Sequence, residues 1–300
     1  MSRVVECILN ISEGIDQRVI QAIGDSIETV EGARLLNVAS DATHHRTVFT
    51  FAALVSLIGD CAFEAVATAC GLIDMRKHRG VHPRIGAADV VPFVPVGNSS
   101  MQTCIQIARK LGVRVGEQLQ VPVYYYGEAS ITPKYRDLAE LRRGQFEGLP
   151  ARMATEGWSP DVGPSKPHPS AGAMAIGARS RLIAFNVYLS TRDLSIAQNI
   201  SSQIRARNGG LTGVKALGLF IEHRNQAQVS MNLTDPDTTS MRVVYERVKY
   251  LSESLGVKVD CSELIGLVSE KDLTNVDAAQ MKIIDFDERR FLEKRLEEND

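Results

Sequence analysis

The 300-residue chain runs through one order of apolar segments twice, and that order limits the folds open to it. In the first half a short run, VVECIL, leads into a helix-period stretch from Ile15 to about Val30. Two runs rich in β-branched and aromatic residues follow, ARLLNVA and RTVFTFAALV, then a second helix-period stretch from about Asp60 to Met75 and the run ADVVPFVPV. The periodicity predicts β-α-β-β-α-β, extended by a helix from Met101 to about Gly116 and a strand, VPVYYYG. The second half repeats the order. RLIAFNVYL precedes a helix from about Leu194 to Arg207, then come VKALGLFI, AQVSMNL and a helix from Thr238 to Leu255. VDCSELIGLV supplies a closing strand or loop, and one charged C-terminal helix ends the chain.

Stretches such as VKALGLFIEHRNQAQVSMNL read as hairpins, which require antiparallel neighbours. The expected fold is therefore α+β, with two ferredoxin-like subdomains of split β-α-β units. Their sheets are mostly antiparallel or mixed, with helices on one face and a ligand cleft between the subdomains. A doubly wound parallel sheet does not fit this order. The boundary is expected near Gly177, giving subdomains at residues 1–177 and 178–300. Between the halves, over 144–177, periodicity lapses in RRGQFEGLPARMATEGWSPDVGPSKPHPSAGAM, which holds five prolines and five glycines. A loop of that length inside a compact domain is usually functional or disordered.

Composition narrows the function classes. The chain is 44% hydrophobic and 23% charged with a net charge of −2, as in a soluble globular protein with no nucleic-acid or anionic-membrane partner. Five dispersed cysteines with no CxxC pair read as reduced, buried thiols. No segment approaches the length of a membrane span and no apolar leader opens the chain, so a cytoplasmic protein is expected.

Several familiar sites are missing: no phosphate-binding glycine loop, no dinucleotide fingerprint, no nucleophile elbow and no compact metal-ligand spacing. His44 and His45, if extended, alternate faces and do not chelate one ion. What remains are polar residues at strand ends and in loops: Asp41, His45 and Arg46 in SDATHHRTVFTF, and His82 and Arg84 in RGVHPRIGAADV. Tyr126, Gly127 and Glu128 leave a third strand, and Asp161, Lys166 and His168 lie in the long loop. His82 qualifies for proton transfer by its ordinary titration range, although a loop histidine is more often a hydrogen-bonded surface residue. Tyr124 to Tyr126 read as core packing.

Taken together, VECILNISEG, HHRTVFTF, LIDMRKHRGVHPRIGAADVVPFVPV, VPVYYYGEA, GWSPDVGPS, GAMAIGARSRLIAFNVYL, AQVSMNL and ELIGLV resemble the glutamate formimidoyltransferase family, in the family's order and over nearly the whole chain. That family includes the N-terminal part of formimidoyltransferase-cyclodeaminase; the cyclodeaminase part is expected to be absent. The resemblance implies two α/β subdomains, usually in a homodimer. It implies transfer of a formimidoyl group from N-formimidoyl-L-glutamate to N5 of tetrahydrofolate, the folate being a co-substrate; the lack of compact metal-ligand spacing separately leads to the expectation of no metal. It assigns the catalytic histidine to His82. The folate-binding loop falls on Gly163, Pro164, Ser165, Lys166, Pro167, His168, Pro169, Ser170, Ala171 and Gly172. Arg84 or Arg46 is expected to pair with a substrate carboxylate and Lys166 to lie near the folate's glutamyl tail.

The chain departs from the family's common pattern at Leu9 and Ile11, where a proline and an aromatic usually stand. Asn37, Ala39 and Val81 stand at three usually acidic positions, with Asp41 a possible substitute for one of those carboxylates. Carboxylates near His82 would stabilise a cationic formimidoyl group. Transfer of a neutral formyl group and a folate-binding protein without turnover are therefore the alternatives.

Overall fold

The structure is a computed structural model that describes residues 3–297 apart from Thr43 and Val81. It divides into two compact units, Met1–Arg179 and Ser180–Asp300.

The first unit contains β1 (Val4–Ile11), α1 (Gln17–Glu28), β2 (Arg34–Asp41), β3 (Arg46–Leu54), α2 (Ile58–Leu72), β4 (Ala88–Pro95), α3 (Met101–Arg114), β5 (Val123–Gly127), α4 (Leu138–Leu141), α5 (Gln145–Met153) and β6 (Met174–Ala178). Its six-stranded sheet has the order β2-β3-β1-β4-β6-β5. β1 is antiparallel to β3 and β4, and β2 is antiparallel to β3. β6 is parallel to both β4 and β5, so the sheet is mixed. Side-chain caps start the helices where the sequence supplies them: Asp16 accepts from Arg18 N ahead of α1, and Ser100 accepts from Thr103 N ahead of α3.

β1, β3 and β4 bury Cys7, Leu9, Phe49, Phe51, Val91 and Phe93 against α1–α3. Each such aliphatic or phenyl side chain contributes about 1.5–3 kcal/mol by leaving water. β5 is packed on both sides. Tyr125 joins this core, whereas Tyr124 and Tyr126 join a second cluster with Leu141 of α4 and Leu149 and Met153 of α5. α4 and α5 thus cover the opposite face of the sheet at its β5–β6 end, which corrects the expectation of helices on one face. The physical reason is the parallel extension β4-β6-β5, whose strands are apolar on both faces and need a layer on each. Trp158 packs into the same cluster, its ring beneath the Arg152 guanidinium at 3.5 Å.

The second unit contains β7 (Ile183–Leu189), α6 (Leu194–Ile204), β8 (Val214–Ile221), β9 (Gln226–Leu233), α7 (Met241–Ser254) and β10 (Val259–Ile265). Its four-stranded sheet, β10-β7-β9-β8, is antiparallel throughout. The first seven residues of VDCSELIGLV are therefore a strand, β10. In place of one charged C-terminal helix there are two short ones, α8 (Asn275–Gln280) and α9 (Leu292–Glu297). Phe291, just ahead of α9, is buried in this unit's core and joined to Val268 in a β-bridge. No helix of the described residues is long and apolar enough to cross a membrane.

The long loop is stitched back into the first unit. His168 and Gly172 exchange backbone hydrogen bonds of 2.8 and 2.9 Å, Ser170 O accepts from Met75 N at 2.8 Å, and Ala171 O accepts from Ala87 N at 3.0 Å. Gly172 has φ +73°, and a Cβ there would sit 2.2 Å from Ile85 O. Gly172→Ala should therefore cost about 1–3 kcal/mol through backbone strain and collision. Urea denaturation checks this, and a loss below half a kilocalorie would mean that the contact relaxes freely.

Candidate functional site

The site is built at the strand ends of the first unit. β1 ends in the turn Ser12–Glu13–Gly14, which lies against the β2 and β3 ends: a Cβ on Gly14 would meet Asp41 O at 2.3 Å and Arg46 N at 2.6 Å. Ser12 N donates to Ala87 O at 2.8 Å and Ser12 Oγ to Gly86 O at 2.7 Å, tying this turn to the entrance of β4. Gly86 also bridges Gly172, so the His82 segment and the end of the Gly163–Gly172 loop share one backbone junction.

At the centre lies Asp89, fully buried in β4. Its Oδ1 accepts from Ile85 N at 2.8 Å, and its Oδ2 accepts from Arg46 Nη1 at 3.1 Å and from Arg142 Nε and Nη2 at 3.0 and 2.5 Å. One carboxylate thus meets two guanidiniums, leaving one net positive charge. Burial alone would raise the Asp89 pKa, but Arg142 and Arg46 hold it below the ordinary carboxylate value. Arg46 is pushed down to about 10, first by burial and then by its neighbour Arg142.

His82 sits on this cluster. Its Nδ1 lies 3.0 Å from Arg46 Nη1 and 2.8 Å from Pro83 O. Those partners ask opposite things of the nitrogen. Arg46 requires a lone pair and leaves the proton on Nε2; the Pro83 carbonyl requires an N–H and leaves Nε2 a lone pair. Both neutral tautomers therefore have support, and among the described residues Nε2 has no protein partner. The imidazole pKa is pushed down to about 3, by burial first and then by Arg46 and Arg142. The near-neutral ionisation that the residue type suggests is therefore displaced from His82, because protonation would add a third positive charge to the cluster.

The guanidiniums predicted to meet a substrate carboxylate are occupied. Arg46 Nε and Nη2 both donate to Asn10 Oδ1, at 3.1 and 2.6 Å. Asn10 Nδ2 donates to Ile8 O, which fixes the amide in that orientation. Arg84 is buried and donates from Nη1 and Nη2 to the Glu147 carboxylate at 2.8 and 2.6 Å, and from Nε to His78 Nδ1 at 3.1 Å. That bidentate partner holds Glu147 down at about 2. Arg142, which the sequence reading passed over, leaves Nη1 with no protein partner among the described residues.

Around the cluster, Glu13 Oε1 accepts from the N–H groups of Gly14, Ile15 and Asp16 and lies 3.0 Å from His45 Nε2. His45 stacks on His78 with ring centroids 4.2 Å apart. Asp41 accepts from His44 N and lies 2.7 Å from His44 Nδ1, so its carboxylate is engaged within its own turn. In the loop, Lys166 is exposed and His168 Nδ1 accepts from Ala171 N at 3.0 Å. Asp161 accepts from Tyr125 N and serves β5 rather than this cluster. Val81 lies outside the described residues. No group of three or more candidate metal ligands exists among the described residues.

Sequence reasoning reached His82, Arg46 and Arg84 but missed Asp89, Arg142, Asn10 and Glu13. One signal was available for Asp89: a carboxylate inside the apolar run ADVVPFVPV must be paired or hydrogen-bonded.

Comparison with known proteins follows the same division of the chain. The formiminotransferase domain, N-terminal subdomain, matches residues 4–179, and the formiminotransferase domain matches residues 184–294. The chain is 41% identical over 297 residues to a glutamate formimidoyltransferase of Streptococcus pyogenes serotype M1, covering 99% of each. It is 44% identical over 296 residues to a glutamate formimidoyltransferase of Thermoplasma acidophilum, covering 98% of this chain and 97% of that one. It is also 44% identical over 284 residues to the formimidoyltransferase-cyclodeaminase of Rattus norvegicus, covering 93% of this chain but 52% of the relative, so it spans about half of that protein's length.

Proposed function

The chain belongs to the formiminotransferase family, and on that premise we propose that it is a folate-dependent one-carbon transferase, moving the formimidoyl group of N-formimidoyl-L-glutamate to N5 of tetrahydrofolate in histidine degradation. The observation that carries the transferase reading, for either donor, is His82 held at Nδ1 by Arg46 and Pro83 O, with no protein partner for Nε2 among the described residues, beside two arginines that share the one Asp89 carboxylate. N5 attacks the one-carbon centre, a tetrahedral adduct forms, N5 loses a proton and the departing glutamate nitrogen gains one. The adduct's N5 is a cationic ammonium, acidic enough to surrender its proton to a histidine of low basicity. Positioned proton transfer of this kind contributes about 10²–10⁴-fold.

The uncompensated charge suits a substrate carboxylate, received at Arg142 Nη1 rather than at Arg46 or Arg84, whose paired edges are occupied. Arg84 acts one step back: with Glu147 and His78 it fixes the segment that carries His82. The loop Gly163–Gly172 receives the folate, Lys166 meets its glutamyl tail, and the functional protein is a homodimer. The strand orders β2-β3-β1-β4 and β8-β9-β7-β10 support a ferredoxin-like reading of each unit.

One observation favours a second donor. Arg46 and Arg142 beside His82 suit a neutral formyl group better than a cationic formimidoyl group. Calorimetry with tetrahydrofolate and turnover assays with formimidoylglutamate and formylglutamate test both readings. We expect folate binding and turnover of formimidoylglutamate. No heat at millimolar folate would remove the folate reading altogether, and turnover of formylglutamate alone would replace the donor.

A further inference from the structure

The turn between β2 and β3 brings a second imidazole to the first. The ring centroids of His44 and His82 are 6.1 Å apart, with planes inclined at 60°. Asp41 fixes His44 twice, its Oδ1 accepting the His44 backbone N–H at 2.8 Å and its Oδ2 lying 2.7 Å from ring Nδ1. A carboxylate that only accepts requires the proton on Nδ1, so His44 Nε2 is the nitrogen left to exchange protons. The His82 segment comes close to this turn because residue 80 is glycine: a Cβ there would sit 2.7 Å from His44 O and 2.8 Å from His45 Cβ.

The chemistry of transfer asks for two proton movements at two nitrogens of one tetrahedral carbon. A single histidine must turn from one nitrogen to the other, whereas two imidazoles on either side need not move. The neighbours of the two rings also differ. His82 faces Arg46 and Arg142, which oppose a proton on it. His44 faces Asp41, whose hydrogen bond raises its pKa, against burial and the opposing charge of Arg46.

We propose that His44, aimed by Asp41, donates the proton to the departing glutamate nitrogen while His82 accepts the proton released by N5. The N5–carbon bond forms and the carbon–glutamate nitrogen bond breaks. One proton moves from N5 to His82 and one from His44 to the leaving nitrogen, and solvent restores both rings after release. Asp41 is the positioning residue. This rests on the transferase reading above.

The sign of the pH dependence follows. His44 acts in its charged form, so the rate is highest where the ring is protonated and falls as pH rises through its raised pKa. In His44→Gln, turnover at neutral pH should drop about 10²-fold, the lower end for an acid–base group, and the alkaline fall should vanish. In Asp41→Asn the fall should move to lower pH. In His82→Gln it should persist on a slower reaction. His44 is half-exposed, so the variants should fold, which tetrahydrofolate calorimetry confirms independently of turnover. If wild-type protein transfers neither donor group, the transferase reading falls and this proposal with it. If wild type is active but His44→Gln keeps both the rate and the alkaline fall, only the proposal is overturned and Asp41–His44 is a turn brace.

Discussion

Asp89→Asn should lose about 3–5 kcal/mol of stability, the expected penalty for stripping one partner from a buried ion cluster. The residue is fully buried, and its carboxylate is shared by Arg46, Arg142 and Ile85 N–H. Asparagine preserves the shape and one acceptor oxygen but leaves two guanidiniums facing each other with no anion between them. Since a domain of this size has about 5–15 kcal/mol to lose, the variant should be marginal. His82 should lose its seat as Arg46 turns away. Because the Asp89 pKa is held below its unfolded value, its contribution is present at neutral pH and throughout the range above ordinary carboxylate titration. It is lost only as pH falls through the lowered value. Denaturant titration at neutral pH gives the measurement. A loss under 1 kcal/mol would show that solvent, not Asp89, balances the two arginines.

That cluster marks the limit of what the sequence discloses. The doubled β-α-β-β-α-β order is written in local periodicity, and the elements β1 to β4 and β7 to β10 follow it closely. α5 and β6 were hidden. α5 carries Gly148 and Pro150 inside nine residues, and β6, MAIGA, has one β-branched side chain. Both are held by tertiary packing: β6 between two parallel neighbours, α5 through Leu149 and Met153 on the second core. Propensity carries little of that information. The site was hidden in a different way. Arg142 reaches Asp89 across 53 positions and Arg84 reaches Glu147 across 63, pairings that no local pattern specifies. The resemblance pointed to His82 but not to its charge state, because that state is set by arginines contributed from β3 and the end of α4. Asp41 and His44 were legible as residues; only the turn that precedes β3 makes them a pair.

The other large effect concerns His82 itself. In His82→Ala, turnover should fall by about two to four orders of magnitude, the usual worth of a positioned acid–base group. Folate affinity should change much less, since among the described residues Nε2 serves no structural partner. The residue type alone suggests an ionisation near neutrality that the mutant would lack. The structure demands otherwise: burial, then Arg46 and Arg142, hold the ring at about 3. It is uncharged across the range from roughly pH 5 to 9, well above that value. The ratio of wild-type to mutant rates should therefore be flat over that range. Any bend in the wild-type profile belongs to another group and should survive in the mutant. A ratio that bends near the ordinary histidine value would mean that the Arg46–Asp89–Arg142 cluster rearranges around bound substrate. A mutant that turns over both donors at the wild-type rate would reduce His82 to a loop histidine resting on an ion cluster.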